Sequence, residues 1–209
     1  MEFTKVLSYY TDDGKKYFVV FENGEEEYFS DEEFFEYGLY ETEQPLNIDH
    51  EMLMRKVHIK RGYMSSVSFL RGSLKPSRAV KDRLRQEGMS DEIIMDVLAR
   101  LEEEGYLDDR KFCIKHIKKR VDAGNCSRMY IIAELREKGI VEELTAECLQ
   151  ELDVDDESLA ENILIKKRKG GYSDEKIKRY LAGKGFSVCT IISVFEKHYS
   201  DGEEEQDIF

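Results

Sequence analysis

Apolar residues recur along this chain with two different periods. Near the N-terminus they alternate: "KKYFVVF" (15–21) puts Tyr17, Val19 and Phe21 on one face, the period of a half-buried strand. "FTKVLSYY" precedes it across "TDDG", and "EEEYF" follows it across Asn23-Gly24, a pair that tolerates positive φ and closes hairpins. The pattern predicts a small three-stranded meander over residues 3–29, marginal by itself. Ser30 followed by Glu33 has the form of a capping box, so a short helix starts there and runs through Tyr37 to Gly38. "ETEQPLN" (41–47) reads as a linker.

From about residue 50 the period becomes helical, and the pattern repeats. "SRAVKDRLRQEGM" (77–89), "SRMYIIAELREKGI" (127–140) and "SDEKIKRYLAGKGF" (173–186) each open on a serine, Ser77, Ser127 and Ser173. Each places an aliphatic residue four before a leucine: Val80 and Leu84, Ile131 and Leu135, Ile177 and Leu181. Each closes on a glycine four after that leucine, Gly88, Gly139 or Gly185, with Met89, Ile140 or Phe186 next. Serine is a helix N-cap, the i, i+4 pair buries one stripe, and glycine followed by an apolar residue is a helix C-terminus. A second amphipathic segment follows each glycine, marked by Ile93, Ile94, Val97, Leu98 and Leu101, then Leu144, Cys148, Leu149 and Leu152, then Ile191, Ile192, Val194 and Phe195. A further helix lies ahead of each serine, at roughly 51–71, 109–123 and 156–169.

The prediction is therefore a mainly α chain: three tandem three-helix repeats behind a small N-terminal β-meander. The boundaries expected are 1–47 for the β extension and short helix, 48–105, 106–153 and 154–199 for the repeats, and 200–209 for an acidic disordered tail. Repeats of this length suggest an array in which each unit shares its core with the next.

Charge adds a second layer. The net charge is −13, yet its sign alternates. Residues 1–53 hold 15 acidic and 3 basic groups, whereas 54–90 hold 2 and 10. Further on, 111–138 and 162–186 are basic, and 91–110 and 139–161 are acidic. The first two helices of each repeat are basic and the third acidic. Solvated faces with internal ion pairs would account for this, and so would a basic surface that follows an acidic, extended partner. The residues expected on such a surface are Arg71, Lys75, Arg78, Lys81 and Arg85 in the first repeat. In the second they are Lys118, Lys119, Arg120 and Arg128, and in the third Lys166, Lys167, Arg168, Lys178 and Arg179.

No catalytic or metal signature is present. "AGKGF" (182–186) is a helix end rather than a phosphate loop. "DVDDE" (153–157) lacks the glycine and closing glutamate of a calcium loop and reads as a cap for the next helix. The four histidines show no zinc spacing, and Cys113, Cys126, Cys148 and Cys189 form no C-x-x-C. They read as reduced, mostly buried thiols. Neither an enzyme nor a cofactor is expected. No apolar run is long enough to cross a bilayer and the N-terminus lacks a signal-peptide pattern, so a cytoplasmic location is expected.

"EEEGYLDDRKFC" (102–113) carries two adjacent aspartates, Asp108 and Asp109. They stand at a helix start, where carboxylates accept backbone N–H groups and complement the dipole. Gly105 ends the helix before them, Tyr106 and Leu107 form the apolar seam, and Phe112 with Cys113 points into the shared core. The pair joins one repeat to the next.

"GYLDDRKF" (105–112), with "SRMYIIAELREKGI" downstream and Leu-x-x-x-Gly in the flanking repeats, resembles the RecX family, regulators of RecA, over about residues 54–199. The family pattern rests here on Gly88, Gly105, Leu107, Asp108, Asp109, Phe112, Leu135, Gly139, Leu181 and Gly185. Cys113 departs from it, standing where alanine is common. The resemblance implies an elongated, curved array, a monomer that lies along the RecA–single-stranded DNA filament. The implied outcome is inhibition of ATPase, strand exchange and coprotease activities, and hence modulation of recombination, DNA repair and the SOS response. A winged-helix transcriptional regulator is the alternative, because "SDEIIMDVLARLEEEGYL" (90–107) has the form of a winged-helix recognition segment. It requires a β-hairpin after Leu107, where "DDRKFCIKHIKKR" continues as helix.

Overall fold

A computed structural model of the chain describes residues 4–12 and 14–203, the last five by backbone alone. The fold is mainly α-helical with one small N-terminal antiparallel sheet. Its contacts form two compact units. One holds the described residues up to Phe69 together with Leu84–Leu101; the other holds Leu70–Arg83 and the described residues from Glu102 onward.

In the first unit, β1 (Val6–Thr11), β2 (Lys16–Phe21) and β3 (Glu26–Ser30) pair in the order β1-β2-β3. Of the hairpin dipeptide only Gly24 takes a positive φ. Asn23 instead accepts the N–H of Glu25 on its side-chain oxygen at 3.0 Å. Helix α1 (Asp31–Glu36) opens on the expected capping box, with Ser30 and Glu33 bonded both ways. Val19, Phe21 and Phe29 of the sheet, Phe34 of α1 and Leu39 are buried with Leu53 and Val57 of α2 (His50–Leu70). A three-stranded sheet too small to stand alone thus acquires a core by sharing one with a helix. The 41–47 segment is no loose linker: Leu46 is buried, its N–H bonds the Thr4 carbonyl at 2.7 Å, and Thr4 N–H bonds Ile48 at 3.2 Å. The buried Glu33 carboxylate is forked by Arg61 of α2 at 3.0 and 2.8 Å, and Arg61 also donates to the Tyr28 carbonyl. Helix α4 (Asp91–Glu103) buries Ile93, Ile94, Val97, Leu98 and Leu101 on one face, as its apolar spacing predicts.

Helix α3 comprises Ser77–Gln86. The second unit continues with α5 (Asp109–Ala123), α6 (Arg128–Glu137), α7 (Glu142–Glu151), α8 (Asp156–Lys169), α9 (Asp174–Gly183) and α10 (Val188–Glu203). Leu107 leads directly into α5, so the strand pair that a winged helix needs is absent there. Cys113, Ile117, Ile131, Leu135, Leu149, Ile163, Ile177, Leu181 and Phe195 belong to one continuous core across the last two repeats. Ile192, expected in that core, is about half exposed, and Tyr106, expected in the seam beside buried Leu107, is exposed as well. Backbone helix continues through 200–203, the start of the acidic tail, and the rest of the tail (204–209) lies outside the described residues.

All three predicted glycine C-termini form in the same way. The N–H groups of Met89, Ile140 and Phe186 bond back to the carbonyls of Leu84, Leu135 and Leu181 at 3.1, 3.0 and 3.2 Å. The serines differ. Ser127 caps α6 by accepting from Tyr130 N–H, and Ser173 stands at the α9 N-cap without a side-chain bond. Ser77 is no cap at all: α3 starts on it. Counted back from the leucine, Ser77 stands seven residues away and the other two stand eight, so Pro76 holds the cap position.

That one-residue offset explains the aspartates. Asp108 caps its own helix, accepting Lys111 N–H at 2.7 Å, while Asp109 accepts Ser77 N–H of α3 at 2.8 Å. In the next repeat Asp155 accepts Ser158 N–H at 2.8 Å, and Asp156 accepts Arg128 N–H of α6 at 2.7 Å. The first aspartate of each pair caps forward. The second reaches back to the preceding repeat's middle helix. At the start of α2, Asp49 caps forward to Met52 N–H at 2.8 Å, but the next residue is His50. No helical repeat precedes it. His50 lies 3.1 Å from Glu25 and edge-on to Phe21, so the sheet takes the place of a preceding repeat.

Middle helices also meet end to end. A Cβ at Gly139, where α6 ends, would lie 2.5–2.6 Å from Arg78 at the start of α3. A Cβ at Gly185, just beyond α9, would lie 2.7 Å from the Ser127 hydroxyl at the start of α6. The Ser127 N–H continues the chain of bonds to the Lys184 carbonyl at 3.1 Å. Glycine is required here by the close approach as much as by its left-handed φ.

Candidate polyanion-binding surface

Several of the expected basic residues are held by nearby acids. Arg85 bonds Asp91 through two nitrogens at 3.0 and 2.8 Å, and Arg168 bonds Asp174 at 3.0 and 2.9 Å. Arg120 is forked on Glu134, which also faces His116 Nε2 at 3.1 Å. Arg78 lies 3.7 Å from Asp82, and Lys75 bonds the Ser73 hydroxyl. Arg128 and Lys81 are half-buried. Arg71, Lys118, Lys119, Lys166, Lys178 and Arg179 are exposed.

Besides Arg85, the acidic third helices draw on other cations. Arg110 of α5 bonds Glu147 and Glu151 of α7 at 3.0 and 2.6 Å, and Arg55 of α2 bonds Asp96 of α4 at 2.5 Å. Internal neutralisation of the third helices therefore leaves Lys118, Lys119, Lys166 and Arg179 facing solvent.

One group of these residues carries a feature that charge alone does not convey. The Lys167 ammonium sits 4.6 Å from the Tyr172 ring centroid and 3.8 Å from that of Tyr180. Lys184 follows, 5.6 Å from Tyr180 and 5.8 Å from Tyr130, and Arg120 lies 5.9 Å from Tyr130. Cations and aromatic rings thus alternate from the end of α8, along α9, to the start of α6. Tyr172 and Tyr130 are exposed. Beside them, Gly124, Asn125, Lys166, Lys167, Tyr172 and Tyr180 line a cleft of about 320 Å³. The local fold sets each part. Helix α8 ends at Gly170-Gly171, and Tyr172 N–H turns back to the Lys167 carbonyl at 3.2 Å. Lys184 is the residue at which α9 ends, one place before the glycine that lets α9 meet α6.

Rings that interleave with cations in an exposed groove can stack unpaired bases while the cations contact phosphates. Tyr130, Tyr172, Tyr180 and Lys184 escaped the sequence reading. Each stands beside a basic run, but they come from three separate segments that only the end-to-end helix contact unites.

On the neighbouring α5–α6 face, Lys119, Arg120 and Lys138 gather with Glu134 and Glu137 around His116. His116 is held below the ordinary histidine range, first by burial and then by the charges of Lys138, Arg120 and Lys119. Among the described residues no cluster of His, Cys, Asp and Glu could hold a metal, and no helix is long and apolar enough to cross a membrane. Cys113, Cys126 and Cys148 are buried free thiols, and Cys189 is exposed.

No protein-family model matches the chain. It is 27% identical over 158 residues to the regulatory protein RecX of Bacillus licheniformis, covering 71% of this chain and 60% of that one. To the regulatory protein RecX of Geobacillus kaustophilus it is 24% identical over 177 residues, covering 80% and 66%. The chain thus spans less than two thirds of these curated relatives. Among solved structures, RecX from Lactobacillus salivarius superposes with a TM-score of 0.61 at 21% identity, over 68% of this chain and 97% of that one. A second, the crystal structure of a regulatory protein RecX, gives 0.62 at 16% identity over 92% and 99%.

Proposed function

We infer that this chain, which belongs to the RecX family, is a regulatory protein that binds the RecA–single-stranded DNA filament and restrains RecA's ATPase, strand-exchange and coprotease activities. It acts by binding, without chemistry of its own. The observation that carries this reading is the alternation of Tyr172, Lys167, Tyr180, Lys184, Tyr130 and Arg120 across consecutive repeats. A ladder of rings and cations suits a partner that offers phosphates at regular intervals with unpaired bases between them. The surrounding acidic helices oppose nonspecific adsorption to bare duplex, because a net charge of −13 repels a polyanion except where the basic surface faces it.

The test is a titration of the full chain into RecA, single-stranded DNA and ATP. Slower ATP hydrolysis and strand exchange are expected, with Lys167→Ala and Tyr172→Ala weakening the effect. Unchanged RecA activity at every ratio would overturn the reading.

A further inference from the structure

The sheet leaves β1 hydrogen-bonded to a neighbouring strand on one side only. Thr4, just before it, is closed off by Leu46 and Ile48. Beyond that point, among the described residues, no backbone bond covers the outer edge of Val6–Thr11. Edge strands are normally blunted by charge, proline, a bulge or brevity, because a row of unpaired N–H and C=O groups templates another strand. Val-Leu-Ser-Tyr-Tyr-Thr has no charge and no proline, in a chain that is 37% charged. Its one irregularity is a register shift between Val6 and Ser8. Leu7, Tyr9 and Tyr10 are 53%, 43% and 48% exposed, so side chains along the strand are open together with its edge.

The surroundings select the occupant. Lys5 precedes the strand and Asp12 follows it, and Glu26 of β3 reaches across the sheet face to accept the Tyr10 hydroxyl at 3.1 Å. Residues 1–53 carry 15 acids against 3 bases, so a second copy of this module would be repelled. Rings of this sheet already take a cation, with Arg61 stacked 4.4 Å over Tyr28. We propose that the β1 edge accepts, as a fourth strand, an extended Lys- or Arg-bearing segment of a partner protein. Main-chain bonds would supply affinity, and the exposed tyrosines with the net acidity of residues 1–53 would supply preference for positive side chains.

The inference rests on the N-terminal unit alone and is independent of any effect on RecA. The probe is a capped eight-residue peptide of alternating Lys and Val, compared with its Glu/Val counterpart. Hydrogen exchange of the 6–11 amides is followed in the full chain. The Lys/Val peptide is expected to slow exchange at least about tenfold at saturation, with the protection weakened by salt. The Glu/Val peptide is expected to leave exchange unchanged. Tyr10→Lys, on a side chain already half exposed, is expected to weaken peptide binding about tenfold while circular dichroism stays constant. No protection by the Lys/Val peptide, or equal protection by both peptides, overturns the proposal. Protection that grows with protein concentration in the absence of peptide overturns it too, since the occupant would then be a second copy.

Discussion

Asp109 and Asp156 show how much a single carboxylate can organise. Each sits at the first position of its own helix yet satisfies an N–H of another helix, 32 and 28 residues earlier. Asp109→Ala is expected to destabilise by about 1–2 kcal/mol, the usual cost of an N-cap. Denaturant unfolding checks this, and adding Ser77→Pro, which removes the donor, should make the Asp109→Ala loss largely disappear. His116 gives a second residue-scale expectation. Because its pKa is depressed in the fold, its contribution to stability is complete above the unfolded value near 6.5 and is lost as pH falls through the depressed value. Part of that depression comes from Lys119 and Lys138. A single-stranded oligonucleotide bound there should therefore raise the His116 pKa, which an NMR titration reads directly; an unmoved pKa would exclude that face. Among the cysteines, burial and then the neighbouring Cys148 push the Cys113 thiol up to about 12. A thiol reagent should modify Cys189 quickly and the other three only on unfolding.

At the scale of the element, the decisive contacts are helix ends. Gly88 and Gly139 have almost the same backbone, φ 84° and 85°, but open space surrounds the first and Arg78 closes on the second. Gly88→Ala should cost about 1 kcal/mol, the price of a left-handed residue alone. Gly139→Ala should cost distinctly more, by about 1–3 kcal/mol for the forced displacement of Arg78. Equal losses in thermal melts would show that the end-to-end contact does not constrain α6. The helices themselves were legible because their apolar spacing, Ser30–Glu33 box and Leu-x-x-x-Gly ends are local codes. Less legible was anything set by alignment between repeats. Ser77 looked like the other serines and was not a cap, since one missing residue shifts its role to Pro76. The linker at 41–47 looked polar, and Leu46 anchors it to Thr4 through bonds no local pattern predicts. The tyrosine–lysine ladder was hidden for the same reason.

At the scale of the whole molecule, a net charge of −13 coexists with exposed cations because the acids have their own partners. Lys166→Glu with Arg179→Glu, both exposed, should weaken the proposed effect on RecA by at least about tenfold and leave the melting curve within a few degrees, because surface charges contribute little to stability. Retained inhibition would mean that the partner contacts another face. The paired aspartates carry one more implication, which concerns how such a chain can change length. A repeat delivers its own forward cap, together with a hook and a glycine gap for the middle helix of the unit before it, and it asks only a free helix start in return. Duplication of residues 107–153 in place would bring a complete set of these couplings. Repeat number is therefore a quantity that genetic duplication can alter without a new interface having to arise, and at His50, where the sheet stands in, no such hook is needed.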